Sequence, residues 1–136
     1  MQVHPYLMFD GTCAEAVDFY RLAVGAEVQM LMRYKEAPDP AMVKPGFGER
    51  VMHVSLRIGE SIVMASDHPQ DPAPAMSSFA LSLAVADEAE AKRAFDALAE
   101  GGSVRMPLGP TFWAKAFGML TDRYGVAWMV SVGPQG

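Results

Sequence analysis

The chain has 136 residues, a length that fits one domain able to bury most of the surface of a compact fold. Apolar residues make up 51% and charged residues 20%, as in folded rather than disordered proteins, and the net charge of −5 gives no electrostatic reason to bind nucleic acid or an anionic membrane. The single cysteine, Cys13, excludes an intrachain disulfide and a cysteine-based zinc cluster. The sequence also has no signal-peptide pattern and no apolar run of membrane-spanning length, so we expect a cytoplasmic protein without nucleic-acid or membrane partners.

The first half of the sequence predicts a βαβββ module. An extended run and an Asp-Gly turn are followed by Thr12 and Glu15 in capping-box spacing, and by a helix over residues 12–24 that Gly25 would end. Three apolar, alternating segments come next, and a loop rich in proline and glycine, residues 35–49, separates the first two of them. The predicted strands of this module are Val3–Phe9, Ala26–Tyr34, Arg50–Ile58 and Ser61–Ser66.

After a second proline-rich connection, the same pattern returns. Asp87 and Glu90 repeat the capping-box spacing, a helix is predicted over residues 88–100, and Gly101 would end it. Glu15 and Glu90 lie 75 residues apart, at matching positions of the two helices. The predicted strands of this second module are Phe79–Val85, Ser103–Pro107, Trp113–Thr121 and Val126–Val132.

Two copies of one unit indicate a duplicated fold. We interpret the chain as a single α+β domain over residues 1–136, with modules at about 1–67 and 77–133. Each module would place its helix on one face of a sheet and leave the other face for a ligand. Alternation along the strands assigns His53, Arg57 and Ser82 to that second face, so we expect a small molecule to bind in a cleft between two curved sheets.

The hairpin near the C-terminus combines aromatic residues with one positive charge. If the strand begins at Trp113, then Trp113, Lys115 and Phe117 share one face and the ammonium group lies between two rings. Two interpretations of Lys115 stay open. Its stem could cover Trp113 while its ammonium reaches water, or it could hold an anion at the wall of a cleft.

Several stretches of the sequence together resemble one protein family. They resemble the PhnB-like branch of the glyoxalase and bleomycin-resistance superfamily, whose members are also called vicinal oxygen chelate proteins. The resemblance implies two βαβββ modules that form a curved, mixed-sheet half-barrel cleft, usually within a homodimer. The stretches that carry it are His4-Pro5-Tyr6-Leu7-Met8-Phe9, Met64-Ala65-Ser66-Asp67, Phe112-Trp113-Ala114-Lys115, Phe117-Gly118-Met119-Leu120-Thr121-Asp122 and Gly125-Val126-Ala127-Trp128-Met129-Val130.

The resemblance also implies a divalent-metal site in the metal-using members, held by four inward residues that are typically His, Glu or Gln. His4 and His53 match two of these positions, but no histidine occurs near Ser78–Ala80, where the third should fall. The fourth is normally a glutamate, and here that position is Met129. Because two imidazoles leave the charge of a divalent ion unbalanced, we predict that the metal site is incomplete.

The first functional hypothesis is a binding protein without a metal or other cofactor. It would take a small aromatic or anionic molecule, with Trp113, Phe117 and Trp128 as flat apolar surfaces and with Lys115, His53 and Arg57 as polar anchors.

The alternative hypothesis is a metal-dependent lyase, isomerase or dioxygenase-type enzyme, in which His4 and His53 hold one divalent ion that Asp67 or a partner chain completes. A third hypothesis is a dimer whose cleft is vestigial. Members of this branch are sometimes labelled demethylubiquinone methyltransferases, but the sequence lacks the glycine-rich turn that normally holds an adenosyl methyl donor after a first parallel strand.

Overall fold

A computed structural model describes residues 1–39, 41, 43–70 and 72–133 of the chain. Positions 40 and 42 of the predicted loop and position 71 of the predicted connection lie outside these residues. The chain divides into two compact units, Met1–Pro74 and Ala75–Gly136, which we call the first and second units. The elements are β1 (Tyr6–Phe9), α1 (Cys13–Val24), β2 (Glu27–Arg33), a short 3-10 turn (Tyr34–Glu36), β3 (Val51–Ile58), β4 (Ser61–Asp67), β5 (Leu81–Val85), α2 (Glu88–Ala99), β6 (Ser103–Gly109), β7 (Ala116–Thr121) and β8 (Ala127–Val132).

The first unit is a four-stranded mixed sheet in the order β1-β4-β3-β2. β1 runs parallel to β4, and the other neighbours are antiparallel. Helix α1 contacts β3 and β4 on one face of this sheet. The alternating side chains that point to this face form the core, because burial removes their apolar surface from water. They include Leu7, Phe9, Val54, Leu56, Val63 and Ala65, all buried, together with Tyr20 from the helix.

The second unit repeats this arrangement in the order β5-β8-β7-β6, with β5 parallel to β8. Helix α2 packs against β7 and β8 and contributes Phe95 and Leu98 to the core. Each unit therefore has the element order β-α-β-β-β, and the predicted α+β class with two βαβββ modules is confirmed. Neither helix in the described part of the chain has the length and apolar character needed to cross a membrane.

The two helices begin differently, although their capping sequences look alike. In α2 the Asp87 side chain accepts a hydrogen bond from the backbone N–H of Glu90 at 2.8 Å, as an N-cap residue should. In α1 the Thr12 side chain makes no capping hydrogen bond, so the capping box predicted there is wrong. The N–H of Cys13 instead donates to Oδ1 of the buried Asp67 at 2.9 Å, because a carboxylate from another strand already satisfies the first turn.

The predicted start of the hairpin strand is also wrong, since β7 begins at Ala116 rather than at Trp113. The cause is Thr111, whose hydroxyl accepts hydrogen bonds from the backbone N–H groups of Trp113 and Ala114 at 3.3 and 3.0 Å. These bonds turn the backbone before the strand starts. Simple alternation therefore does not apply to Trp113 and Lys115.

Each sheet carries a β-bulge at the same place. Register shifts lie between Val28 and Met30 in β2 and between Val104 and Met106 in β6, so each edge strand has one extra residue at this point of its ladder. In β2 that residue is Gln29. In β6 it is Arg105. The bulge is thus part of the repeated unit, and the side chain at its apex is not.

Candidate ligand-binding site

The sheet face opposite the helix, which we call the open face, is lined by methionines in both units. Among the described residues, no methionine belongs to the fully buried core. Met30 and Met106 are 45% and 42% exposed, and the remaining strand methionines of the open faces are half-buried or exposed. Flexible thioethers on an accessible surface suit the binding of small apolar molecules.

The open face of the first unit contains polar side chains that pair with one another. The Tyr6 hydroxyl lies 3.0 Å from Nδ1 of His53, and the two rings are 5.6 Å apart. Arg57 forms an ion pair with Glu27, its neighbour across the β2–β3 ladder, and also donates to the carbonyl of Gly59. Both polar anchors predicted in this unit, His53 and Arg57, therefore lie on the expected face but already have partners.

The residues considered for a metal do not form a ligand set within the described residues, where no group of three or more His, Cys, Asp or Glu side chains could hold an ion. His4 precedes β1 and its Nε2 lies 3.1 Å from Oε1 of Gln2. Asp67 is 1% exposed, and its two oxygens accept hydrogen bonds from the N–H groups of Cys13 and Val51, each at 2.9 Å. Asp67 thus joins β4 to the start of α1 and to β3, and both of its carboxylate oxygens are used by these backbone N–H groups.

Cys13 is fully buried beside this carboxylate. Burial, with a smaller contribution from the negative charge of Asp67, raises the pKa of the Cys13 thiol to about 12. Since the thiolate is the form that attacks electrophiles and binds metals, Cys13 has a structural role in the core.

The open face of the second unit forms a cavity of about 470 Å³. Its floor comes from three neighbouring strands, and one wall is the segment Met76–Ala80, which precedes β5. Ser78 in that segment has a φ of 66°, a conformation that non-glycine residues adopt at a cost, and such strain is concentrated at functional sites. The strand residues that line the cavity are Arg105, Met119, Thr121, Ala127 and Met129.

Arg105 supplies the positive charge of this cavity. Its Nε donates to the hydroxyl of Thr121 at 3.1 Å, which holds the guanidinium against the open face. Arg105 forms no ion pair with any described carboxylate. The cavity therefore combines an apolar floor with one cation at its edge, an arrangement typical of small-molecule sites.

Five predicted site residues also lie in this unit, namely Ser82, Trp113, Lys115, Phe117 and Trp128. Trp113 and Phe117 pack edge to face with ring centroids 5.5 Å apart, and Trp113 is 48% exposed. Lys115 is exposed and its backbone N–H donates to the carbonyl of Gly133, which accords with the solvated interpretation of its side chain. Ser82 is exposed and pairs with Met129, so it lies on the open face as predicted from alternation.

Trp128 does not lie on the open face. It is 3% exposed, on the helix-covered side of β8, and its indole Nε1 donates to Oδ2 of the buried Asp122 at 2.9 Å. The other oxygen of Asp122 accepts from the N–H groups of Tyr124 and Val126. This burial corrects the expectation that Trp128 offers a ligand a flat surface. The strand itself begins at Ala127, and alternation from there puts Trp128 in the core and Met129 outside.

Sequence reasoning missed Arg105 and Tyr6. Tyr6 shares the alternation of Met8 on β1 and could have been assigned to the open face from that pattern. No pattern could have assigned Arg105, because the bulge breaks the alternation of β6 at that residue.

Similar proteins place the fold in a known class. A domain from Frankia sp. EAN1pec described as glyoxylase/bleomycin resistance protein/dioxygenase shares the fold, with a TM-score of 0.69 at 12% identity over 100% of this chain and 93% of that one. The chain thus has the glyoxalase/bleomycin-resistance fold.

Closer relatives narrow this class to a family. The family model described as 3-demethylubiquinone-9 3-methyltransferase matches residues 1–131, and the chain belongs to that family. It is 36% identical to Protein YjdN of Escherichia coli K12 over 97% of this chain and 95% of that protein. Among solved structures, PA1353 from Pseudomonas aeruginosa is 46% identical (TM-score 0.88, 99% of both chains covered). The PhnB protein from Bacillus cereus is 27% identical (TM-score 0.83, 98% of this chain and 100% of that one), and the PhnB-like resemblance is confirmed.

Proposed function

We propose that this protein binds a small molecule with an apolar body on the open face of its second unit, without a complete metal site. The observation that carries the proposal is the cavity of about 470 Å³ on that face. This volume lies in the range of ligand pockets, and a floor of methionines beside a single cation provides both apolar contact and one point of orientation. On the open face of the first unit, by contrast, the predicted anchors His53 and Arg57 already pair with Tyr6 and Glu27.

The methionines themselves offer a direct test. Protein labelled with ¹³C on the methionine methyl groups is titrated with toluene and with cyclohexanol, and each signal is assigned by Met→Leu substitution. We expect the signals of Met119 and Met129, in the cavity, to shift with ligand, while that of Met30 on the other sheet does not. Shifts confined to Met30, or no saturable shift at millimolar ligand, would contradict the proposal.

A matched pair of variants separates the cavity from the rest of the sheet. Ala127 lines the cavity, whereas Ala84 is exposed on the open face of the same sheet and does not line it. Ala127→Leu should fill the space and abolish the saturable shifts. Ala84→Leu should leave them unchanged.

The absence of a functional metal is the second part of the proposal. It is supported by Met129, a neutral thioether at the position where the family pattern has a carboxylate, and by the engagement of both Asp67 oxygens. We expect protein purified without chelator to carry well under one equivalent of divalent metal by elemental analysis. Met129 lies on the open face, so Met129→Glu should raise divalent affinity. Stoichiometric metal in the wild type, lost in His53→Ala, would favour the enzyme alternative.

We also propose that the protein is a homodimer in the cytoplasm. Each sheet ends in strands without a neighbour inside its unit, and the edge strand β6 exposes Val104 and Met106. Such edges are commonly covered by association with a second chain. Light scattering at micromolar concentration should give twice the chain mass, and a monomeric mass would refute the dimer.

A further inference from the structure

Arg105 differs from the other cations of the two open faces. The cation of the first unit, Arg57, is neutralised by Glu27 directly across the ladder. At the corresponding positions of the second unit, the ladder places Ser103 opposite Thr121, and neither carries charge. Arg105 itself lies two residues after Ser103, at the apex of the bulge.

The geometry of the guanidinium leaves its terminal nitrogens available. Nε is used by the Thr121 hydroxyl at 3.1 Å, and among the described residues the two Nη groups take part in no ion pair. Two parallel N–H groups match the spacing of two oxygens in a carboxylate, phosphate or phosphonate. The bulge gives this cation its direction, since an unpaired residue in a ladder can point its side chain where regular alternation does not.

We infer that Arg105 is the anchor for an anionic head group, and that the ligand class of the cavity is an amphiphilic anion: an apolar body that lies over Met119 and Met129 and a carboxylate, phosphate or phosphonate at the Arg105 edge. This inference rests on the proposed function and names the chemistry of its ligand. Because the net charge of −5 gives no long-range attraction for anions, binding of an anion at this site depends on the local charge of Arg105.

The experiment compares three probes with the same hydrocarbon chain, namely hexanoate, hexylphosphonate and hexan-1-ol. Affinities are measured from the Met119 and Met129 methyl shifts at constant ionic strength. We expect both anions to bind at least about ten-fold more tightly than the alcohol, because charge-assisted hydrogen bonds are the stronger kind. The ratio of hexylphosphonate to hexanoate affinity then distinguishes a phosphorus oxyanion from a carboxylate as the preferred head group.

Three variants decide whether Arg105 is responsible. Arg105→Gln should reduce the affinity for both anions to that for hexan-1-ol, with hexan-1-ol itself unchanged. Ser103→Glu should weaken anion binding in the same way, since it supplies the carboxylate that Glu27 supplies in the first unit. Arg57→Gln is the matched control and should leave all three affinities unchanged.

The outcomes are distinguishable. If none of the probes shifts the cavity methionines, the proposed binding site fails and the anion inference fails with it. If hexan-1-ol binds as tightly as the anions, the cavity stands and the role of Arg105 is refuted. An anion preference that survives in Arg105→Gln, or that is lost in Arg57→Gln, likewise overturns the assignment.

Discussion

The two units use the same scaffold for differently charged surfaces. Both have a bulge in the edge strand that follows the helix, and both present methionines on the face opposite the helix. In the first unit the cation Arg57 is paired with Glu27, whereas in the second Arg105 donates to the hydroxyl of Thr121 and forms no ion pair with a described carboxylate. Duplication therefore conserved the backbone geometry, and a few substitutions decided which face keeps an unneutralised charge.

The same contrast holds for the two buried aspartates. Asp67 joins segments far apart in sequence, through the N–H groups of Cys13 and Val51. Asp122 acts locally, on Tyr124 and Val126 in its own turn and on the indole of Trp128. One carboxylate holds a unit together, and the other shapes a hairpin.

The largest expected loss of stability comes from removing one of these two aspartates, and it tests the difference between their roles. Asp67→Ala leaves two buried N–H groups without an acceptor, and we expect a loss of about 3–5 kcal/mol in the free energy of unfolding. Asp122→Ala should cost less, about 2–3 kcal/mol, because the exposed Arg123 and Gly125 let water reach the turn around this buried carboxylate. Urea denaturation followed by circular dichroism measures both. An equal or larger loss for Asp122→Ala would break the comparison, and Asp96→Ala on the surface of α2 serves as the neutral control.

The next largest loss of stability is expected at the residue that follows the positive-φ glycine after each helix. Gly25 and Gly101 both have positive φ, and the following residues are Ala26 and Gly102. A Cβ at Gly102 would lie 2.1 Å from the carbonyl oxygen of Thr121, a backbone atom that a rotamer change cannot move away. Gly102→Ala should therefore destabilise the protein by roughly 3 kcal/mol.

Gly109→Ala is the matched control, because Gly109 ends the strand β6 that Gly102 precedes, and a Cβ at Gly109 meets no atom within 4 Å. The unfolding temperatures of the two variants, measured side by side, show whether the clash at Gly102 destabilises the protein. If Gly102→Ala unfolds at the wild-type temperature, the close approach of β6 to the hairpin turn is not rigid.

A smaller effect separates the two tryptophans. Trp128→Phe removes a buried hydrogen bond to a carboxylate and should cost about 2 kcal/mol, whereas Trp113→Phe on the surface should stay within about 0.5 kcal/mol. Acrylamide should quench the fluorescence of Trp113, measured in Trp128→Phe, far more than that of Trp128, measured in Trp113→Phe. The reverse order would place Trp128 on an accessible surface.

The substitution with the smallest expected effect on stability gives the first unit an unpaired cation like that of the second. Glu27→Ser removes an exposed ion pair, and we expect a change below about 1 kcal/mol in unfolding. It also leaves Arg57 without its carboxylate, so hexanoate should then shift the methyl signal of Met30. Unchanged Met30 signals would indicate that an unpaired cation needs the cavity of the second unit as well.

Sequence patterns predicted the elements well, but their ends less well. The repeated capping spacing located both helices to within a residue, and the Asp87 cap forms as expected. Alternation placed His53 and Ser82 on the correct faces because regular strands have a period of two. It failed at Trp113, where Thr111 turns the backbone, and no local signal foretold the bulge at Arg105.

The sequence by itself determined the duplicated βαβββ order, because apolar periodicity, capping residues and glycines act over a few neighbouring positions. It also has Met129 at the position where the family resemblance implies a metal-binding carboxylate. Only the tertiary structure decided which polar side chains are already paired. Glu27 and Arg57 lie 30 residues apart, and Cys13 and Asp67 lie 54 apart, so their contacts depend on how strands align rather than on any local pattern. Arg105 stands out for the same reason, since the absence of an ion pair with any described carboxylate is a property of the assembled sheet.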